Sequence, residues 1–156
     1  MDYLKSFGIA TGEGKHQEEA FYGLILTYNL LFDRIAGHLQ GWGLTPAQFN
    51  VLLVLDKHGK EDGLSQVDIS KKLIVTASNT TRLLEKMEKE KLIVRSPKQG
   101  DRRVNVVHIT PKGSTLLAKI WPEYDKKIRE AVSLLSQDDQ KMAASLFIKW
   151  LELLGV

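Results

Sequence analysis

Two groups of residues in the central third of the chain have the types and spacing to hold an anion. Ser78, Arg82 and Lys86 stand at i, i+4 and i+8, which makes one polar stripe on a helix, with Asn79 and Thr81 flanking it and Thr76 just ahead. Further on, GDRRVNVVHITPKG sets Arg102 and Arg103 at a tight glycine turn directly before an alternating apolar strand. A hairpin tip needs only small polar residues, so this charge points to an anionic partner rather than to the fold.

The chemistry follows from the side chains. An arginine fork engages two acceptors at once, the arrangement that reads guanine in a major groove and is worth about 1–3 kcal/mol of discrimination, so Arg82 is the leading candidate. Asn79 and Thr81 have the reach for a base edge or a phosphate. The competing reading makes Ser78 a plain cap and pairs Arg82 with Glu85 or Glu88 on a solvated face. A basic hairpin that follows a groove-bound helix falls beside the neighbouring minor groove, where negative potential favours an inserted arginine. Lys98, Arg102 and Arg103 are the candidates there. Asp101 either orients an arginine through a charge-assisted hydrogen bond or is an ordinary turn residue.

The charge distribution agrees. Between Lys71 and Arg103 lie ten basic residues against four acidic ones, on a chain of 156 residues whose net charge is only +3, so the remainder is acidic. Such asymmetry is the electrostatic footprint expected of a nucleic-acid surface, although a solvated lysine-rich face produces some of it too. Other chemistries lack their residues. With no cysteine, disulfides, thiolate nucleophiles and thiol redox switches are excluded. His16, His38, His58 and His108 are scattered without metal-ligand spacing, and Asp138 and Asp139 sit where a helix N-terminus favours negative charge. No phosphate loop or nucleophile motif appears. The expectation is a protein that is not an enzyme and needs no cofactor or metal. No apolar run approaches the roughly 20 residues of a membrane span and the start lacks a signal-peptide pattern, so a cytoplasmic location is expected.

The elements that must position these residues can be read from periodicity and caps. Residues 1–15 carry three glycines and no period, and read as a loose arm. Phe21, Leu24, Ile25, Tyr28, Leu31, Phe32, Ile35 and Leu39 recur at helical spacing up to Gly41. Thr45 before Pro46 opens a buried helix that ends near Gly59. Ser65 and Asp68 box the start of a short helix, and a second follows from about Thr76 to Lys89 with Leu83, Leu84 and Met87 inward, a helix-turn-helix pair. LIVRS, a turn through Pro97, Lys98, Gln99 and Gly100, and VNVVHI then read as a two-stranded hairpin. Thr110 and Pro111 start another long helix, and Ser136 with Asp139 starts the last. The expected fold is mainly α with a small β-hairpin wing: a winged helix-turn-helix lobe over 45–110, flanked by long helices at 16–41 and 111–154 in one domain of 1–156.

These residues resemble the multiple antibiotic resistance regulator (MarR) family of winged helix-turn-helix transcription factors. The most specific part is the wing, where the family's spacing appears as Asp101, Arg103, Ile109, Thr110 and Gly113, while TASNTTRLLEKMEKEKLIVR is similar to the family's recognition helix and first wing strand. The resemblance implies a homodimer built from the first and last helices, binding a pseudo-palindromic double-stranded operator, usually as a repressor. It matches Arg103 to the minor-groove arginine and Asp101 to its accompanying aspartate; the adjacent Arg102 leaves open which guanidinium enters the groove. It also implies release by a small aromatic or phenolic effector, for which Tyr28, Phe32, Trp42, Phe49 and Trp121 are candidate contacts, although aromatics at such spacing equally form plain core. The terminal helices carry more apolar side chains than one small winged domain needs to bury, which supports a dimer independently. The rival function is a winged helix used as a protein-interaction module without specific DNA binding.

Overall fold

The computed structural model describes residues 3–59, 62–74, 79–98 and 101–155, with the side chains of 101–103 outside the description. The elements in order are a 3-10 turn (Lys5–Phe7), α1 (His16–Gln40), α2 (Pro46–His58), β1 (Leu64–Ser65), α3 (Gln66–Lys72), α4 (Thr80–Lys89), β2 (Ile93–Lys98), β3 (Asp101–Ile109), α5 (Pro111–Val132) and α6 (Gln137–Leu153). They form two compact units, Met1–Ile120 and Trp121–Val156.

In the first unit, α2 starts where the sequence demands it. Thr45 Oγ1 accepts from the Gln48 N–H at 3.2 Å and Gln48 Oε1 accepts the Thr45 N–H at 3.0 Å, with Pro46 in the first turn where its missing N–H costs nothing. α2 is the central post of the core. Phe49, Leu52 and Leu55 are buried with Ile69 of α3, Leu84 and Met87 of α4, Ile93 and Val107 of the sheet, and Ile120 of α5. Burying each such side chain contributes about 1.5–3 kcal/mol.

The sheet is antiparallel and three-stranded in the order β1-β3-β2. The expected two-stranded hairpin thus gains β1, whose Leu64 and Ser65 pair with Val107 and Val106. Two residues are too few to give a period. β2 also runs further than expected, because Pro97 and Lys98 belong to it, Pro97 opposite Asn105 and Lys98 opposite Asp101, with the register shifting between them. β2 is the edge strand, so a proline that lacks an N–H is tolerated there. Asp101 accordingly opens β3 as a paired strand residue.

The join between sheet and α5 explains the Ile109-Thr110-Gly113 motif. Thr110 Oγ1 donates towards the Leu92 and Lys91 carbonyls at 3.0 and 2.7 Å, and accepts the Gly113 N–H at 3.1 Å. Gly113 packs so closely on Leu92 that a Cβ there would overlap the Leu92 carbonyl oxygen. Residues 3–15 are more ordered than a loose arm: beyond the 3-10 turn, the Gly12 N–H is bound by Glu19 Oε1 of α1 at 2.9 Å.

In the second unit, Ser136 caps α6 by accepting the Asp139 N–H at 3.2 Å, as its sequence predicts. α6 has no buried residue, and Met142, Leu146, Phe147, Ile148 and Leu151 all lie exposed. In the first unit, α1 likewise exposes Phe21, Ile25, Tyr28 and Leu31, burying only Leu39.

Candidate nucleic-acid interface

Asn79 decides where the reading helix begins. Its backbone lies at φ −148° and ψ 88°, outside the helical region, and its Oδ1 accepts the Arg82 N–H at 3.0 Å. It is therefore the N-cap of α4, and the helix starts at Thr80 rather than near Thr76. A short polar side chain that competes for backbone N–H groups favours a cap over a helix interior. Thr76 and Ser78 lie outside the described residues, so the stripe is represented by Arg82 and Lys86.

The two sides of α4 have separate tasks. Leu84 and Met87 are fully buried, while Leu83 is only half-buried instead of facing inward with them. Arg82, Glu85, Lys86 and Lys89 point outward and are exposed. Arg82 makes no ion pair among the described residues, so the solvated-face pairing with Glu85 or Glu88 is not formed. Glu88 instead accepts the Arg95 N–H at 3.2 Å and stands 3.8 Å from Arg95 Nε in β2. Lys86 is placed differently, 3.8 Å from Glu90 Oε1.

Side chains from neighbouring elements fix this helix at both ends. At its C-terminal end, Gln48 of α2, 1% exposed, donates from Nε2 to Glu90 Oε2 at 3.0 Å, and Lys112 Nζ donates to the Glu90 carbonyl at 2.7 Å. Ahead of its N-terminal end, Asn50, 7% exposed, accepts the Ile74 N–H on Oδ1 at 2.7 Å. Two buried amides on one helix thus hold both sides of the helix-turn-helix pair, satisfying groups that would be costly to bury unpaired. From α3, Gln66 Nε2 donates to Thr81 Oγ1 at 2.7 Å and Ser70 Oγ lies 3.3 Å from Thr80 Oγ1. Sequence reasoning missed Gln48, Asn50 and Gln66. A signal existed for one of them, since Asn50 interrupts an apolar helix run that has no other reason to hold an amide.

α3 is anchored by Ser65, whose Oγ accepts the Asp68 N–H at 3.1 Å and donates to the Asp68 carboxylate at 2.6 Å. That hydrogen bond, helped by Lys71 and Lys72, holds the Asp68 carboxyl below the ordinary aspartate range. In the wing, Lys98 ends β2 and is exposed, and the backbones of Asp101, Arg102 and Arg103 form the start of β3. His108 on β3 is hydrogen-bonded to Ser96 Oγ on β2 at 3.1 Å, bracing the two strands.

The candidate effector aromatics differ in their surroundings. Phe49 is core, Trp42 is half-buried, Trp121 belongs to the second unit, and Tyr28 is exposed with its ring 5.6 Å from that of Phe32. An open cavity of about 500 Å³ lies instead between Phe7, Ile9, Glu18, Tyr22 and Ile25, and includes none of the five.

A helix held by buried amides, with a polar outward face and a hairpin directly behind it, can lay its first turn in a groove while the hairpin reaches beyond. The chain is similar to known proteins. Residues 42–104 match the family model described as MarR family. The chain is similar to the HTH-type transcriptional regulator MhqR of Bacillus subtilis, 32% identical over 81% of this chain and 85% of that protein. Among solved structures it is similar to the S. aureus MepR–DNA complex, with a TM-score of 0.75 and 27% identity over 84% of this chain and 95% of that one. A MarR-like transcription regulator from Bacillus cereus superposes with a TM-score of 0.80 at 20% identity, over 90% and 99% of the two chains.

Proposed function

The chain belongs to the MarR family of transcriptional regulators, and on that premise we propose that it is a homodimer that binds a pseudo-palindromic double-stranded operator as a repressor and is released by a small aromatic or phenolic effector. In this reading α4 enters the major groove, with Asn79, Thr81 and Arg82 at base edges and Lys86 towards phosphate. Residues 98–103 of the wing reach the adjacent minor groove, Lys98 to a phosphate and Arg102 or Arg103 into the groove beside Asp101. The proposal extends to Thr76 and Ser78 by their sequence position alone.

The observation that carries the reading is the asymmetry of α4. The helix buries Leu84 and Met87 and is tied to α2, α3 and β2 by side-chain hydrogen bonds, and its outer face keeps Arg82 exposed and without an ion pair among the described residues. Fixed geometry with an unspent guanidinium is what specific base reading requires, and a mere interaction module has no use for it. The exposed apolar faces of α1 and α6 support the dimer, and the exposed Tyr28 ring beside Phe32 supports an aromatic ligand. No described helix is long and apolar enough to cross a membrane, which fits work on DNA in the cytoplasm.

Selection from a randomised duplex pool at about 150 mM salt tests this, because that condition weakens purely electrostatic binding. The expected result is a pseudo-palindrome with half-sites about one helical turn apart, bound by two copies. Recovery of no sequence would put the protein-interaction reading in its place.

A further inference from the structure

A threonine hydroxyl carries one proton and two lone pairs, so whether it reads a donor or an acceptor on DNA depends on what else it touches. Thr81 is the second residue of α4, exposed, and adjacent to Arg82. Gln66, the first residue of α3, is half-buried against it and its Nε2 donates to Thr81 Oγ1 at 2.7 Å. A threonine inside a helix commonly donates its own proton back to the carbonyl four residues earlier. Among the described residues no acceptor takes the Thr81 proton, and Asn79 two residues earlier, at φ −148° and ψ 88°, is not helical.

We infer that Gln66 is a specificity-determining residue: by filling one of the two lone pairs of Thr81 Oγ1, it strengthens the Thr81 hydroxyl as a donor and leaves its proton for the groove, so that Thr81 favours an acceptor on a base edge. The inference rests on the DNA-binding function proposed above. In a major groove the matching acceptors are purine N7, guanine O6 and thymine O4, whereas adenine N6 and cytosine N4 are donors that would leave the hydroxyl proton unused and share its oxygen with Gln66. Gln66 need not touch the base itself. It acts as a positioning residue whose amide sets the sense of its neighbour's hydrogen bond. Its carbonyl counterpart would set the opposite sense: a glutamate at this position accepts the Thr81 proton and leaves lone pairs facing the groove.

The test uses the operator recovered by selection and replaces its bases one at a time with analogues. One set deletes acceptors: 7-deazapurines, 2-aminopurine for guanine and 5-methyl-2-pyrimidinone for thymine. The other deletes donors: purine for adenine and 2-pyrimidinone for cytosine. The wild-type protein is expected to lose about 3- to 10-fold in affinity at one position per half-site with an acceptor-deleting analogue, the worth of one hydrogen bond. That sensitivity should vanish in Thr81→Val and, in Gln66→Glu, move to the donor-deleting set. Both positions lie at the surface, and an unchanged circular dichroism spectrum and thermal midpoint confirm that the variants are folded. Three results each overturn the inference: Thr81-dependent sensitivity to donor-deleting analogues in the wild type, no Thr81-dependent sensitivity at all, or the same pattern in Gln66→Glu as in the wild type. Failure to recover any operator defeats the DNA-binding function itself, and is thereby distinct from these.

Discussion

The Glu88 carboxylate accepts the Arg95 backbone N–H at 3.2 Å and stands 3.8 Å from the same residue's Nε, tying the last turn of α4 to the first wing strand. Arg95 Nη2 is buried and finds no hydrogen-bond partner among the described residues. The two residues therefore depend on each other unequally. Glu88→Gln keeps the bond to the backbone but removes the charge facing a partly buried guanidinium, and Glu88→Ala removes both. We expect Glu88→Ala to lower stability by about 1–3 kcal/mol, above the usual worth of an exposed ion pair, and Glu88→Gln by less. Arg95→Met, which removes the guanidinium while keeping its apolar stem, should cost under about 1 kcal/mol. Urea unfolding of the three variants measures the ordering.

Gln48 is the more critical contact because it serves two helices. Its Oε1 closes the cap of α2 and its Nε2 holds Glu90 at the end of α4. Gln48→Leu should cost about 2–3 kcal/mol, combining loss of part of a cap with a carboxylate stripped of its donor. Gln48→Glu keeps the cap acceptor yet sets two carboxylates against each other, so its deficit should shrink as pH is lowered enough to protonate one of them. Unfolding midpoints at neutral and acidic pH separate these outcomes.

Two backbone positions should respond in opposite directions. Lys91 has φ 59°, in the left-handed region where a Cβ is unfavourable, and its contacts to Thr110 run through its carbonyl. Lys91→Gly should therefore stabilise by about 0.5–1 kcal/mol. Gly113→Ala drives a methyl against the Leu92 carbonyl at the junction of wing and α5, and should destabilise by about 1–3 kcal/mol or more. Thermal melts of both single variants give the two signs.

How much of this was legible beforehand depends on the kind of signal. Thr45-Pro46, Ser65, Thr110-Pro111 and Ser136 announce their helices because a cap is a local interaction of one side chain with the next few N–H groups. Asn79 obeys the same rule, but its cap is hidden in the sequence because Thr80 and Thr81 continue a polar run without a break. Pro97 reads as a turn unless the strand is known to be an edge, and edges belong to the sheet, not to the strand. β1 is too short for any period and exists only because Val106 and Val107 offer it a partner. Gln48, Asn50 and Gln66 act across 42, 24 and 15 residues of sequence. Their roles come from tertiary contacts that no local pattern encodes. The exposure of Arg82, by contrast, is legible, because an arginine on the polar stripe of an amphipathic helix needs little context to be placed outside.

Asp68 supplies a pH signature for the helix-turn-helix pair. Its folded-state pKa is depressed by the Ser65 hydroxyl first and by Lys71 and Lys72 in addition. A depressed carboxyl stabilises the fold above its unfolded pKa, and that contribution fades as pH falls through the folded value. In Ser65→Ala the carboxyl should titrate at higher pH, nearer an ordinary aspartate, and α3 should lose protection. A carbon-13 NMR titration of the Asp68 carboxyl in both proteins reads the shift directly; identical titration curves would mean the hydroxyl does not set it.

Arg82 and Lys86 share one face of α4, and their partners predict different behaviour on DNA. Arg82 has no ion pair among the described residues, so no internal contact must break before its guanidinium meets a base. Arg82→Ala is expected to cost about 1–3 kcal/mol on the selected operator and to relax base preference at one position per half-site. Lys86 faces Glu90, which Gln48 and Lys112 hold in place, so part of its charge is already neutralised when DNA arrives. Lys86→Ala should weaken binding to all sequences alike, with base preference intact, and change the slope of log affinity against log salt by less than the roughly one unit of a free phosphate contact. Glu90→Gln, which frees Lys86 while preserving an acceptor for Gln48, should raise affinity and steepen that slope. Titrations of the three variants at several salt concentrations, on the operator and on unrelated duplex, resolve the two roles; a loss of base preference in Lys86→Ala would place its side chain at a base edge instead.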